Sequence, residues 1–151
     1  MEFNRQQELE SGIESLGLAC SSVQTNLLLK YLEMLERWNK AFNLTAIRDP
    51  LQMVRLHLLD SLAIHPYIQG VKNIIDVGTG PGLPGIPLAI LNPHINFTLL
   101  DSNGKKTRFL FQAINDLALP NALEINQRVE VYQPDQQFDI VVSRAFSSLF
   151  D

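Results

Sequence analysis

Asp76-Val77-Gly78-Thr79-Gly80-Pro81-Gly82 follows the apolar run Val71 to Ile75 and precedes Leu83-Pro84-Gly85-Ile86-Pro87-Leu88-Ala89-Ile90. The order is strand, glycine-rich turn, helix, which brings backbone amides to a ligand at the carboxyl end of a strand. Glycine spacing alone is a weak guide to that ligand. Counted from Gly78, a dinucleotide fingerprint wants its third glycine where Leu83 stands; counted from Gly80, the residues Gly80, Gly82 and Gly85 fit. The prolines carry more weight. Pro81, Pro84 and Pro87 have no amide hydrogen, whereas a pyrophosphate cradle needs several amide donors converging at the helix start. The loop therefore suits a nucleotide-like ligand without phosphate, such as S-adenosylmethionine (SAM), and Asp76 offers negative charge near that ligand's cationic groups.

Ile95-Asn96-Phe97-Thr98-Leu99-Leu100-Asp101 is a second apolar strand ending in a carboxylate. In a βαβ unit Asp101 stands at the edge of the neighbouring strand, where an acid accepts hydrogen bonds from ribose hydroxyls. Nicotinamide and SAM enzymes both use such an acid. The competing reading of Asp101 is a helix N-terminal acid ahead of Asn103 to Leu119.

Around these motifs the chain divides in two. Residues 1–66 form an N-terminal helical region, with one apolar stripe at Leu28, Tyr31, Leu32, Leu35 and Trp38 and a second at Leu51, Val54, Leu58, Leu62 and Ala63, the latter started by Pro50 and stopped near Pro66. Residues 67–151 alternate, with strands expected at 72–77, 95–101, 122–126 and 138–143 and helices at 84–91 and 104–118. That alternation implies an α/β fold with right-handed crossovers and a parallel sheet. Phe138 to Arg144 reads as a buried strand, and only seven residues follow Arg144, so later strands of the sheet are expected to be missing at the C-terminal side.

The 151 residues are 46% hydrophobic and 19% charged, the balance of a globular protein with one good core. The single cysteine, Cys20, excludes a disulfide framework and a cysteine-rich zinc site, and His57, His65 and His94 lack metal-ligand spacing. No signal peptide or membrane-length apolar run is visible, and a cytoplasmic location is expected. A net charge of −4 argues against unspecific nucleic-acid binding, but Lys105, Lys106 and Arg108 form a local basic cluster, and Arg37, Lys40, Arg48 and Arg55 gather before the glycine loop.

Five separated stretches together carry a resemblance: Trp38-Asn39-Lys40-Ala41-Phe42-Asn43-Leu44-Thr45, His57-Leu58-Leu59-Asp60-Ser61-Leu62, Asp76 to Ile90, Leu100-Asp101-Ser102-Asn103-Gly104-Lys105-Lys106 and Val142-Ser143-Arg144-Ala145-Phe146. They resemble the RsmG family (GidB, glucose-inhibited division protein B), bacterial methyltransferases that modify guanine N7 in the 530 loop of 16S ribosomal RNA. The resemblance implies a class I SAM-dependent methyltransferase (Rossmann-like) fold, SAM as cofactor, 16S rRNA in the small ribosomal subunit as partner, and action as a monomer without metal. It also implies a cofactor site at Gly78, Leu83, Asp101, Val129, Glu130 and Arg144 beside Asp76 and Gly80, and an RNA-facing segment at Lys105, Lys106 and Arg108. One departure stands out: Leu56 precedes His57 where the family has arginine, and Arg55 lies one place earlier.

Guanine N7 carries a lone pair and no proton, so no catalytic base or nucleophile is expected. Arg144 has a second reading as an ion-pair partner of Asp139 or Asp151, and Trp38 and Phe146 are aromatic faces that could stack on bases. Two other functions compete: a nicotinamide-dinucleotide-dependent oxidoreductase, from Gly80, Gly82 and Gly85, and a non-catalytic RNA-binding or ribosome assembly factor, from the short chain and Leu56.

Overall fold

The structure, a computed structural model, describes residues 4–144. Helix α1 (Arg5–Leu16) ends at Gly17, which takes the left-handed conformation at φ 70° that closes a helix. Helix α2 (Ser22–Phe42) opens on a reciprocal capping box between Ser21 and Gln24 and ends at left-handed Asn43. These breaks interrupt the region read as helical from the sequence. Pro50 then starts α3 (Pro50–Gln52), with the Asp49 carboxylate capping the Gln52 amide at 3.0 Å. The helix widens into a π-helical stretch, Met53–Leu59, before α4 (Asp60–Leu62), and a short turn, His65–Ile68, contains Pro66. Val54, Leu58 and Leu62 are buried while Ala63 is exposed. A strict repeat of four suits the i→i+5 turn, which the expectation of an ordinary helix missed.

The second half contains β1 (Asn73–Val77), α5 (Gly85–Leu91), β2 (Asn96–Asp101), α6 (Gly104–Asp116), β3 (Ala122–Asn126) and β4 (Ile140–Val142). All pairings are parallel and the order is β3-β2-β1-β4. The chain steps outward from β1 to β3 and then returns to the other side of β1, so the order reverses beside β1. In open parallel sheets, ligands bind outside the carboxyl ends of the strands at such a reversal. Residues 138–144 are not the buried strand expected: β4 is short, Val142 is its one buried residue, and Val141 is 66% exposed.

All seven residues of α5 are buried, and one apolar cluster joins α1, α2 and α4 to α5, α6 and the sheet. The buried Asn121 amide ties this layer together, donating to the carbonyls of Ala89, Asn92 and Ile95 at 2.9–3.2 Å. Among the described residues no helix is long and apolar enough to cross a membrane.

Candidate functional site

The amides of the glycine loop are all spent. Gly78 and Thr79 donate to the Leu100 carbonyl at 2.9 and 3.1 Å, and Gly82 and Leu83 donate to that of Thr79 at 3.0 and 2.9 Å. Ile86 donates to the Gly82 carbonyl at 2.7 Å. Gly80 donates to Asp101 Oδ2 at 2.8 Å and Gly85 to Asp76 Oδ2 at 2.9 Å. Pro81 and Pro84 have none to give. No donor remains between residues 78 and 86 to receive a phosphate, which contradicts the dinucleotide reading of Gly80, Gly82 and Gly85. Two of those glycines serve packing: a Cβ on Gly82 would meet Ile86 Cδ1 at 2.6 Å, and one on Gly85 would meet Leu99 Cδ2 at 2.3 Å.

Asp76 is turned inward rather than toward a ligand. Its carboxylate is fully buried; Oδ2 accepts from the Thr79 hydroxyl at 2.7 Å and from Gly85, and Oδ1 has no partner. Burial pushes its pKa up to about 7 against the opposing pull of the Thr79 and Gly85 hydrogen bonds. It therefore anchors the loop from beneath. Asp101 is half-buried at the edge of β2, with Oδ1 accepting from the Asn103 amide at 2.8 Å and Oδ2 from Gly80. Asn103, not Asp101, caps α6, through Oδ1 to the amides of Lys105 and Lys106.

Two clefts at the carboxyl edge of the sheet meet at Gly78, whose φ of 69° keeps a side chain out of the junction. One, about 260 Å³, is lined by Gly78, Asp101, Val129 and Glu130 together with Val77 and Arg128. The other, about 280 Å³, is lined by Gly78, Gly80, Leu83 and Arg144 together with His57 and Lys106. Every residue expected at the cofactor lines one cleft or the other except Asp76. Larger depressions of about 820 and 700 Å³ lie in the helical half and contain none of them.

Arg144 Nη2 donates to the Leu56 carbonyl of the π-helical stretch, which links β4 to the helical half across the second cleft. No ion pair joins Arg144 to Asp139 among the described residues; the Asp139 Oδ2 instead accepts from the amides of Lys72 and Asn73 at 2.9 and 2.8 Å. Asp151 and Phe146 lie outside the described residues. Arg55 pairs with Glu8 at 2.6 Å, away from the cleft. His57 is buried, with Nε2 2.8 Å from the Thr45 hydroxyl and Nδ1 without a partner. Burial, and next the Arg144 cation, lower its pKa to about 4, so the ring is neutral at pH 7.

Of the basic cluster, Lys106 reaches the second cleft, Lys105 lies over the Phe42 ring, and Arg108 is exposed on α6. Trp38 is half-buried against Phe109 and Phe42, a packing role. Cys20 sits by Thr25, remote from the sheet edge. Among the described residues no His, Cys, Asp and Glu group is placed to hold a metal ion. Three contributors were not singled out as site residues from the sequence: Thr79, which locks Asp76; Thr45, which orients His57; and Tyr31, whose hydroxyl donates to the Pro81 carbonyl at 2.8 Å. Tyr31 was visible only as part of an apolar stripe.

A family model described as "GidB: rRNA small subunit methyltransferase G" matches residues 24–151. Proteins named ribosomal RNA small subunit methyltransferase G match nearly the whole chain: that of Marinomonas sp. (strain MWYL1) is 59% identical over 95% of this chain and 68% of its own length. The Hahella chejuensis protein is 51% identical over 99% and 68%, and the Nitrosococcus oceani protein 52% identical over 95% and 66%. The chain thus spans about two thirds of the length of these curated relatives. A solved structure of coclaurine N-methyltransferase bound to N-methylheliamine and SAH has a TM-score of 0.50 at 13% identity, covering 92% of this chain and 43% of that one, a likeness of fold.

Proposed function

The chain belongs to the rRNA small subunit methyltransferase G family, and on that premise we propose that it methylates N7 of a guanine in the 530 loop of 16S ribosomal RNA with SAM as donor. The observation that carries the choice of donor is the loop whose amides are all engaged within the protein. Such a loop suits an adenosine ligand without phosphate and leaves a dinucleotide unheld.

When bound, SAM supplies a methyl group on a cationic sulfur. Asp101, half-exposed at the strand edge, would accept hydrogen bonds from its ribose hydroxyls, and Val129 and Glu130, which line the same cleft, would hold the adenosine beside it. Gly78 leaves the junction open between this cleft and the one holding Leu83 and Arg144. Arg144 and Lys106 bring positive charge to the second cleft, which suits a carboxylate and RNA phosphates.

The chain needs no base for this reaction. The guanine N7 lone pair forms the new N–C bond as the S–C bond breaks, and no proton moves. A buried His57 whose pKa is lowered to about 4 agrees with that, since so weak a base holds a proton poorly at pH 7. What the residues supply is alignment, an effect of about 7–11 kcal/mol in favourable cases.

The test is methyl incorporation from labelled SAM into small ribosomal subunits lacking the modification, with the methylated atom mapped. Label at guanine N7, lost in Asp101→Ala, is expected. Label on another atom or base would refute the finer assignment, and undiminished transfer by Asp101→Ala would remove that residue from the site.

A further inference from the structure

We infer that Phe42 is a stacking platform for an unpaired RNA base next to the target nucleotide, a role that rests on the RNA-methylation reading above. Phe42 closes α2 and is 38% exposed. Behind it stands Trp38, ring centroids 5.5 Å apart, and Trp38 is itself held edge-on by Phe109 at 5.5 Å. Phe109 is fully buried, so the ladder runs from the core to the partly exposed Phe42 ring, and what lies over that ring is the flexible side chain of Lys105. The left-handed turn at Asn43 then leads the chain directly into Leu44 and Thr45, which line the cleft shared by Gly78, Lys106 and Arg144. Phe42 is thus tied to the cleft wall through Asn43, and Lys105 beside its ring is tied to the same wall through Lys106.

Charge favours RNA as the occupant. Lys105 Nζ lies 6.0 Å from the Phe42 centroid, Lys106 lines the cleft, and Arg48 Nη2 donates to Asn43 Oδ1. None of the three has a carboxylate partner among the described residues, where the ion pairs are Arg5–Glu36 and Arg55–Glu8. In a chain of net charge −4, an aromatic ring with one such cation beside it, a second on the adjoining cleft and a third held on the next residue of the chain matches a single strand, whose bases offer π-faces and whose phosphates accept from lysine and arginine.

The chain contains one tryptophan, Trp38, so its fluorescence reports directly on the neighbouring ring. Single-stranded oligo(A) is titrated against the parent, Phe42→Leu and Phe42→Tyr, with SAM calorimetry on each. Leucine keeps the apolar contact but removes the π-face, and should weaken RNA binding roughly 5- to 150-fold. Tyrosine should retain parental RNA affinity, and SAM affinity should be the same in all three. RNA binding by Phe42→Leu equal to the parent, or no RNA binding by the parent, overturns the inference, as does loss in both variants. Failure of SAM to bind the parent would instead count against the methyl-transfer reading, and the RNA comparison among the three proteins would still decide the platform.

Discussion

Gly85 shows how closely single residues are specified at this site. Its Cα lies against β2 and the Asp76 carboxylate, so that an added Cβ would meet Leu99 Cδ2 at 2.3 Å and Asp76 Oδ2 at 2.8 Å. Gly85→Ala should therefore destabilise the fold by about 1–3 kcal/mol, the range for overpacking a filled core, measurable by urea unfolding. Two buried titratable groups act in opposite directions. His57 has a folded pKa of about 4 against 6.5 unfolded, so the unfolded chain binds more protons between those values and stability from His57 rises with pH. Asp76 has a folded pKa of about 7 against 3.8 unfolded, so the native state holds the extra proton and its contribution falls with pH across the same window. The two contributions largely cancel in the parent between pH 4 and 6.5, so Asp76→Asn should leave stability rising with pH across that window and His57→Gln should leave it falling. Unfolding midpoints with the same pH dependence in parent and both variants would contradict these assignments.

Elements were legible where apolar periodicity and breakers agree. Asn73–Val77 and Asn96–Asp101 appear as short apolar runs ending in an acid, and Asp49-Pro50 shows a cap followed by a first-turn proline. The π-helical stretch was not legible, because i→i+5 bonding has no residue signature of its own and follows from how Val54, Leu58 and Leu62 pack. Nor was the exposure of Val141: a β-branched run reads the same on an edge strand as in a sheet centre. Of the site, the sheet-edge acid and Gly78 could be read from motif position, whereas the inward turn of Asp76 depends on Thr79 and Gly85 meeting one oxygen in space. Tyr31 is the link between helix α2 and the glycine loop. Tyr31→Phe leaves the Pro81 carbonyl without its partner and should cost about 1–3 kcal/mol in chemical denaturation, with a weaker SAM complex by calorimetry. No change in either would mean that the loop holds its shape without α2.

At the scale of the whole molecule, the reversal of strand order beside β1 places the two clefts side by side, and the loop after β1 forms their shared wall. The helical half supplies the outer wall of one of them, through Leu44, Thr45 and His57, and is joined to β4 by the Arg144 contact with the Leu56 carbonyl. Sequence separation hid this arrangement, since residues 44–57 and 144 come together only once the sheet forms. This edge takes a sulfonium-bearing adenosine and not a diphosphate, because the loop has no amide left to offer. The deciding measurement is calorimetric titration of the chain with SAM and, separately, with reduced nicotinamide adenine dinucleotide. Heat of binding for SAM that Asp101→Ala abolishes, with none for the dinucleotide, is the predicted result; saturable binding of the dinucleotide, or none of SAM, would contradict it.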